Sequence, residues 1–200
     1  IRWWQFLLAP LLFGLLGWHN VLRLDHVAST TIWDAWVVAL AGPSLDGFDL
    51  ASLTYWLMPY LLFFYLIGNV PNDDLLVRGY GLLPRLGGRL RWWVGKLVML
   101  GVLATLYTAI CFAAILAGAV LRLPATLTIN HEALGLSASV QELPFVIQVF
   151  VLVNSTLIGL AVLQWFLSII WHSSSQGFIA VMGLLMFSLF SGMQGFIAVL

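Results

Sequence analysis

Apolar residues do not alternate with polar ones in this chain, nor do they recur on one side of a helical wheel. They come in unbroken runs at approximately 3–22, 51–69, 93–121, 144–171 and 177–200, with nearly all the charge, proline and asparagine between them. A bilayer core about 30 Å thick needs roughly 20 mostly apolar residues per helix, because lipid offers no partner to an open backbone group. The pattern therefore predicts five spans in an all-α, polytopic membrane helix bundle, forming a single transmembrane domain over residues 1–200. Aromatic residues gather at the ends of the runs, as interfacial belts require: Trp3, Trp4 and Trp18, then Tyr55 and Trp56, Trp92 and Trp93, and Trp171. Pro59 removes a backbone donor in the second run and predicts a kink there.

The segments between the runs carry their own signals. Residues 23–50 contain Thr31-Ile-Trp-Asp34, a capping-box pattern, then a short apolar piece closed by Gly42-Pro43, which predicts a helix lying at the outer surface. Gln176-Gly-Phe-Ile-Ala-Val-Met182 nearly recurs eighteen residues later as Gln194-Gly-Phe-Ile-Ala-Val-Leu200. Eighteen residues are five helical turns, so both copies would share a face; two copies are too few for a repeat architecture, and chance recurrence in Gly/Ala/Ile/Val-rich sequence is the favoured reading. Gly192 could also break this last run and make its end re-entrant.

Composition agrees with lipid as the solvent. The chain is 62% hydrophobic and 8% charged, with a mean hydropathy of +1.03, whereas an ordinary soluble domain carries about 25% charged residues. Net charge is zero, which gives no reason to expect a nucleic-acid partner. Cys111 is the single cysteine, so neither an internal disulfide nor a thiolate metal cluster can form. The apolar start lacks a small-x-small cleavage site after Gly17-Trp-His-Asn-Val, and reads as a retained span.

The placement of charge sets an orientation. Arg78, Arg85, Arg89, Arg91 and Lys96, five of the eight basic residues, lie in 70–96, which the positive-inside rule makes cytoplasmic. Arg2 and the N-terminus then share that side, with segments 23–50 and 122–143 outside. The acids agree: Asp25, Asp34, Asp46, Asp49, Glu132 and Glu142 fall outside, and only Asp73 and Asp74 inside. Five spans from a cytoplasmic start leave Leu200 outside, so a sixth span is expected in the intact protein. The expected location is the cell membrane, multi-pass.

The most informative stretch is 69–96. Pro71 ends the preceding span, Asn72 can cap a new helix, and Asp73 and Asp74 sit in its first turn, where the helix dipole favours negative charge. Leu75, Leu76, Leu82, Leu83 and Leu86 form an apolar set flanked by Arg78 and Arg85, while Gly79, Gly81 and Pro84 keep the helix short. Gly87-Gly88 turns the chain, and Arg89, Arg91, Trp92, Trp93 and Lys96 anchor the next span at the headgroups. By itself this reads equally as a topology-fixing loop that binds anionic lipid.

Catalytic groups are thin. Gly95-Lys96 is followed by Leu97 with no preceding glycine-rich cradle, so the chain has no phosphate loop. His19, His26, His131 and His172 are scattered, and His131-Glu132 lacks the second histidine of a zinc motif. Ser155 follows Asn154 without a Gly-x-Ser-x-Gly elbow. No catalytic or metal site is expected. Within the runs no ionisable group lies near a span centre, which argues against a proton-coupled pump. The polar residues Gln148, Asn154, Ser155 and Gln164 either bond a neighbouring helix or line a path. Without buried charge, any transported substrate would be amphipathic or apolar, such as a lipid or hydrophobic peptide.

The string D-D-L-x-x-x-G-Y-x-L-L-x-R-x-x-x-R-x-x-W-W-x-G-K, from Asp73 to Lys96 between the second and third spans, resembles the permease subunits of type-2 ABC exporters. The likeness is most specific over 69–97 and looser elsewhere, through span order and loop lengths. The resemblance implies that residues 73–86 form a coupling helix, with Asp73, Asp74, Leu75, Leu76, Arg78, Tyr80, Leu82, Leu83 and Arg85 facing a groove on a cytoplasmic ATPase. It further implies that ATP and magnesium sit on that partner, and that a second permease subunit, the same chain or a related one, completes the path. The other reading is a non-transporting membrane anchor or assembly subunit that uses the same loop as a lipid and protein contact.

Overall fold

The computed structural model describes residues 14, 32–33, 50–68, 70, 89–121 and 142–190. Among them the chain is helical, without strands. Four helices follow in order: α1 (Leu50–Gly68), α2 (Arg89–Val120), α3 (Glu142–Ile170) and α4 (Ser174–Phe190). Gly14, residues 32 and 33, and Val70 are also helical. The first run, most of the outer segment 23–50, the segment 122–141 and the second copy of the heptapeptide fall outside the described residues.

Each helix occupies an apolar run, but its start precedes the point where hydropathy rises. α2 begins at Arg89 rather than near 93, and α4 at Ser174 rather than 177. A first turn needs capping and no apolar side chain, so the hydropathy boundary falls inside the helix. Pro59 lies within α1, and its ring is buried. Leu90–Val120 of α2 and Phe145–Ile170 of α3 are long and apolar enough to cross a membrane. At 1.5 Å per residue, the 32 residues of α2 are about 48 Å long and the 29 of α3 about 44 Å, against roughly 30 Å of hydrocarbon. The shorter apolar stretches Trp56–Gly68 and Ser174–Phe187 fall below that length.

The helices contribute to two compact units. One takes in residues to Tyr60 with Thr108–Leu152; the other takes in Leu61–Tyr107 with Val153–Val199. In the first, Phe112 of α2 meets Phe150 of α3 edge to face at 5.0 Å, Trp56 lies against Tyr60 at 5.1 Å, and Cys111 is buried. In the second, α3 buries Leu157, Ala161, Gln164, Trp165 and Ser168, a stripe at helical spacing. Phe63, Phe64 and Ile67 of α1, Leu100, Ala104 and Tyr107 of α2, and Val181 and Leu185 of α4 complete that core. Phe63 packs on Tyr107 at 4.8 Å.

The opposite faces are also apolar. Val94, Val98, Val102, Leu106 and Ile110 make an exposed row at every fourth residue of α2, and Ile147, Val151, Phe166 and Ile170 are exposed on α3. A helix apolar all round has no side for water; an uncovered aliphatic row of this length suits lipid or a protein partner.

The α3–α4 turn has only three residues, Trp171, His172 and Ser173. His172 adopts φ 52°, the left-handed region that ends helices. Its N–H donates to Ile169 O at 3.3 Å and that of Ser173 to Ser168 O at 3.1 Å, the bond pair of a Schellman motif. Ser173 then starts α4: its Oγ accepts from the N–H of Gln176 at 3.4 Å, the N-cap half of a capping box, while its own N–H is taken by Ser168 O. One serine thus closes one helix and opens the next. Left-handed backbone costs a β-carbon about 1–2 kcal/mol, so His172→Gly is expected to stabilise the folded chain by about that amount. Ser173→Ala should cost about 1 kcal/mol. Unfolding of both variants in detergent, followed by helicity, checks the pair.

Candidate functional site

The proposed coupling residues Asp73, Asp74, Leu75, Leu76, Arg78, Tyr80, Leu82, Leu83 and Arg85 lie outside the described residues. Their flanks are described. α1 is described to Gly68, with Val70 also helical, and α2 begins at Arg89. The anchoring group falls on the first two turns of α2: Arg91 is exposed, Trp92 buried and Trp93 partly buried. The two indoles meet edge to face at 5.1 Å, and Lys96 Nζ sits 6.0 Å from the Trp92 ring, the outer limit of a cation–π contact.

The four polar residues predicted on α3 part company. Gln148 and Ser155 are exposed, Asn154 is partly buried and Gln164 fully buried. Asn154 Nδ2 donates to Thr105 Oγ1 at 3.1 Å, and the Thr105 hydroxyl donates to Gly101 O at 2.8 Å, so a polar chain links α3 to the backbone of α2. Interhelical bonds of this kind hold apolar helices together where burial of apolar surface gives little drive.

Gln164 and its neighbour Trp165 do something different. A helix carbonyl without an N–H donor four residues on needs another partner, and Ile67 has Pro71 at that position. Trp165 Nε1 donates to Ile67 O at 2.9 Å and Gln164 Nε2 to Phe64 O at 3.0 Å, so two consecutive α3 side chains bind the final turn of α1. This is the turn that leads into the 69–88 segment. Gly68 makes room for the contact, since a β-carbon there would run into Gln164 Nε2.

A matching close approach joins α3 to α4. A β-carbon at Gly177 would meet Gln164 O at 2.8 Å and Ser168 N at 3.0 Å, and would run into Ser168 Oγ. Gln164 Oε1 and Ser168 Oγ are buried without a hydrogen-bond partner. Beside Gln164 a cavity of about 370 Å³ opens between α1, α3 and α4.

No known protein family, curated protein or solved structure matches the chain. The function must therefore be argued from its own residues.

Trp165, Gly68, Gly177 and Ser173 were not singled out from sequence. Only Ser173 carried a readable signal, the serine three residues before Gln176.

Proposed function

We propose that the chain is a multi-pass protein of the cell membrane, with five spans in 1–200 and its N-terminus cytoplasmic. It serves as the permease subunit of an ATP-driven exporter for an amphipathic substrate, a lipid or hydrophobic peptide. ATP and magnesium are bound by a separate cytoplasmic ATPase, and a second permease subunit completes the path.

The observation that carries this reading is the Asp73–Lys96 string with its likeness to type-2 ABC exporter permeases. Physical features around it fit the role. α1 runs to Gly68, and its last turn is gripped by Gln164 and Trp165, so a push on the 69–88 segment would be passed to α3 rather than absorbed by fraying. On the far side of the segment, Arg91, Trp92 and Lys96 are the residue types that fix a helix end at headgroups. In the proposed topology the end of α1, the start of α2 and the α3–α4 turn all face the cytoplasm, where an ATPase would dock.

The anchor or assembly reading draws on Asn154 and Gln164, whose side chains bond neighbouring helices. The two readings separate in an export assay. A permease loses ATP-dependent export by at least about tenfold in Arg78→Glu/Arg85→Glu or Asp73→Lys/Asp74→Lys, while membrane levels of the chain hold; one broken charged contact of about 1.4 kcal/mol suffices for that factor. Unchanged export in both double variants would leave the anchor reading.

A further inference from the structure

The centres of α2 and α3 carry polar groups on their outer sides. Thr105 stands at the midpoint of α2 and Thr156 at that of α3. The bond from Asn154 to Thr105 joins the two helices at this level, within the second compact unit. Thr105 is exposed and Asn154 partly buried, so the bond lies at the rim of the helix contact. Ser155 and Thr156, the next two residues of α3, are exposed as well. The midpoint of a span is the level farthest from water, and acyl chains offer a hydroxyl no hydrogen bond there.

The three hydroxyls are not equivalent. Thr105 donates its own back to Gly101 O, one turn earlier at 2.8 Å, which satisfies it within α2. The Ser155 and Thr156 side chains make no hydrogen bond among the described residues. Two glycines leave the same level open to a close neighbour, since β-carbons added at Gly101 and Gly159 would have nothing within 4 Å. Gly159 is exposed, and Ser155-x-x-x-Gly159 puts two small residues on one face of α3 at the spacing that lets helix backbones approach.

We propose that the face bearing Ser155, Thr156 and Gly159, with Thr105 at its edge, docks a second copy of this chain across a two-fold axis at mid-membrane. A hydroxyl both donates and accepts, so a patch of hydroxyls is complementary to its own copy, as an interface between identical surfaces requires. A lipid tail has neither donor nor acceptor. The proposal rests on the membrane reading and not on transport; a permease and an anchor subunit would pair in the same way.

The test uses the purified full chain, labelled in separate batches with donor and acceptor dyes on a terminal tag and reconstituted together in phosphatidylcholine vesicles. Energy transfer is followed as lipid is added. It should exceed that of randomly mixed chains and fall on dilution as a dimer dissociates. Gly159→Leu, which fills the open approach from an exposed position, should weaken association by at least about tenfold while helicity is unchanged. Ser155→Ala/Thr156→Val, which removes both hydroxyls at nearly constant volume, should weaken it by about tenfold, two interhelical bonds from each copy being lost. Gly183→Leu, the same change at an equally open glycine of α4, should leave it as it was. Transfer no greater than random mixing would mean that lipid or another protein covers this face, and would overturn the proposal. So would association untouched by Gly159→Leu, or weakened equally by Gly183→Leu. Failure of the membrane reading itself would show separately, as release of the chain from membranes by alkaline carbonate.

Discussion

Trp165→Ala should be the most damaging single substitution in the described helices. The indole is buried at 2% exposure against α1, and its Nε1 donates to Ile67 O at 2.9 Å. Truncating a buried tryptophan costs about 3–5 kcal/mol through lost packing and the cavity left behind. Trp165→Phe separates the two contributions. It keeps most of the ring and removes the donor, leaving a carbonyl at the end of α1 without its partner, which costs about 1–3 kcal/mol. Unfolding of the detergent-solubilised chain by increasing mole fraction of denaturing detergent, read by helicity, should rank the unaltered chain above Trp165→Phe and Trp165→Ala lowest. If phenylalanine proves as stable as tryptophan, the bond to Ile67 contributes nothing, and Trp165 acts through packing alone.

The second large effect is expected at Gly177. Here even one methyl group has nowhere to go, because two of the atoms it would meet, Gln164 O and Ser168 N at 2.8 and 3.0 Å, belong to the α3 backbone. Backbone cannot rotate aside as a side chain can, so Gly177→Ala must separate the two helices just beyond their three-residue turn. Overpacking of this kind costs about 1–3 kcal/mol, and a larger residue should prevent the hairpin from closing. Gly183, six residues further along α4, has nothing within 4 Å of an added β-carbon. There alanine should be neutral or add up to about 1 kcal/mol through helix propensity. The same unfolding assay on both variants gives opposite signs if the close approach at Gly177 is real, and like signs if glycine matters only through propensity.

These two positions mark what the sequence could and could not disclose. The positions of α1, α2 and α3 follow from long apolar runs, which lipid and a helical backbone together make nearly unambiguous. The starts of α2 and α4 were less legible, since Arg89, Arg91 and Ser174 look like loop to a hydropathy reading while serving well as first-turn residues. Gln164 was recognised as an intramembrane polar group, but its partner is the Phe64 carbonyl, a hundred residues away and present at every peptide. No residue pattern announces such a bond. Trp165 was hidden for the converse reason: its apolar body fits any membrane helix, and the N–H that caps α1 goes unnoticed. Gly68 and Gly177 sit in runs where glycine is common, so their role emerges only from the neighbours that a β-carbon would strike.

The same contacts bear on how a permease of this form would work. Gln164 touches two other helices: its side chain bonds Phe64 of α1, and its carbonyl lies under Gly177 of α4. A shift of α1 transmitted from the 69–88 segment would reach α4 through this residue. Coupling of that kind is carried by packed side chains and hydrogen bonds between stiff elements. The proposal therefore assigns α3 a mechanical part that Asp73–Lys96 alone would not suggest.

The central claim is that a separate ATPase drives this chain through the segment after α1. The most direct measurement is ATP hydrolysis in material recovered through a tag on the full chain from detergent-solubilised membranes. The account predicts that the unaltered chain brings down an ATP-hydrolysing subunit, and that the Arg78→Glu/Arg85→Glu chain, recovered in equal amount, loses it. Recovery of the unaltered chain without any associated ATP hydrolysis would contradict the account.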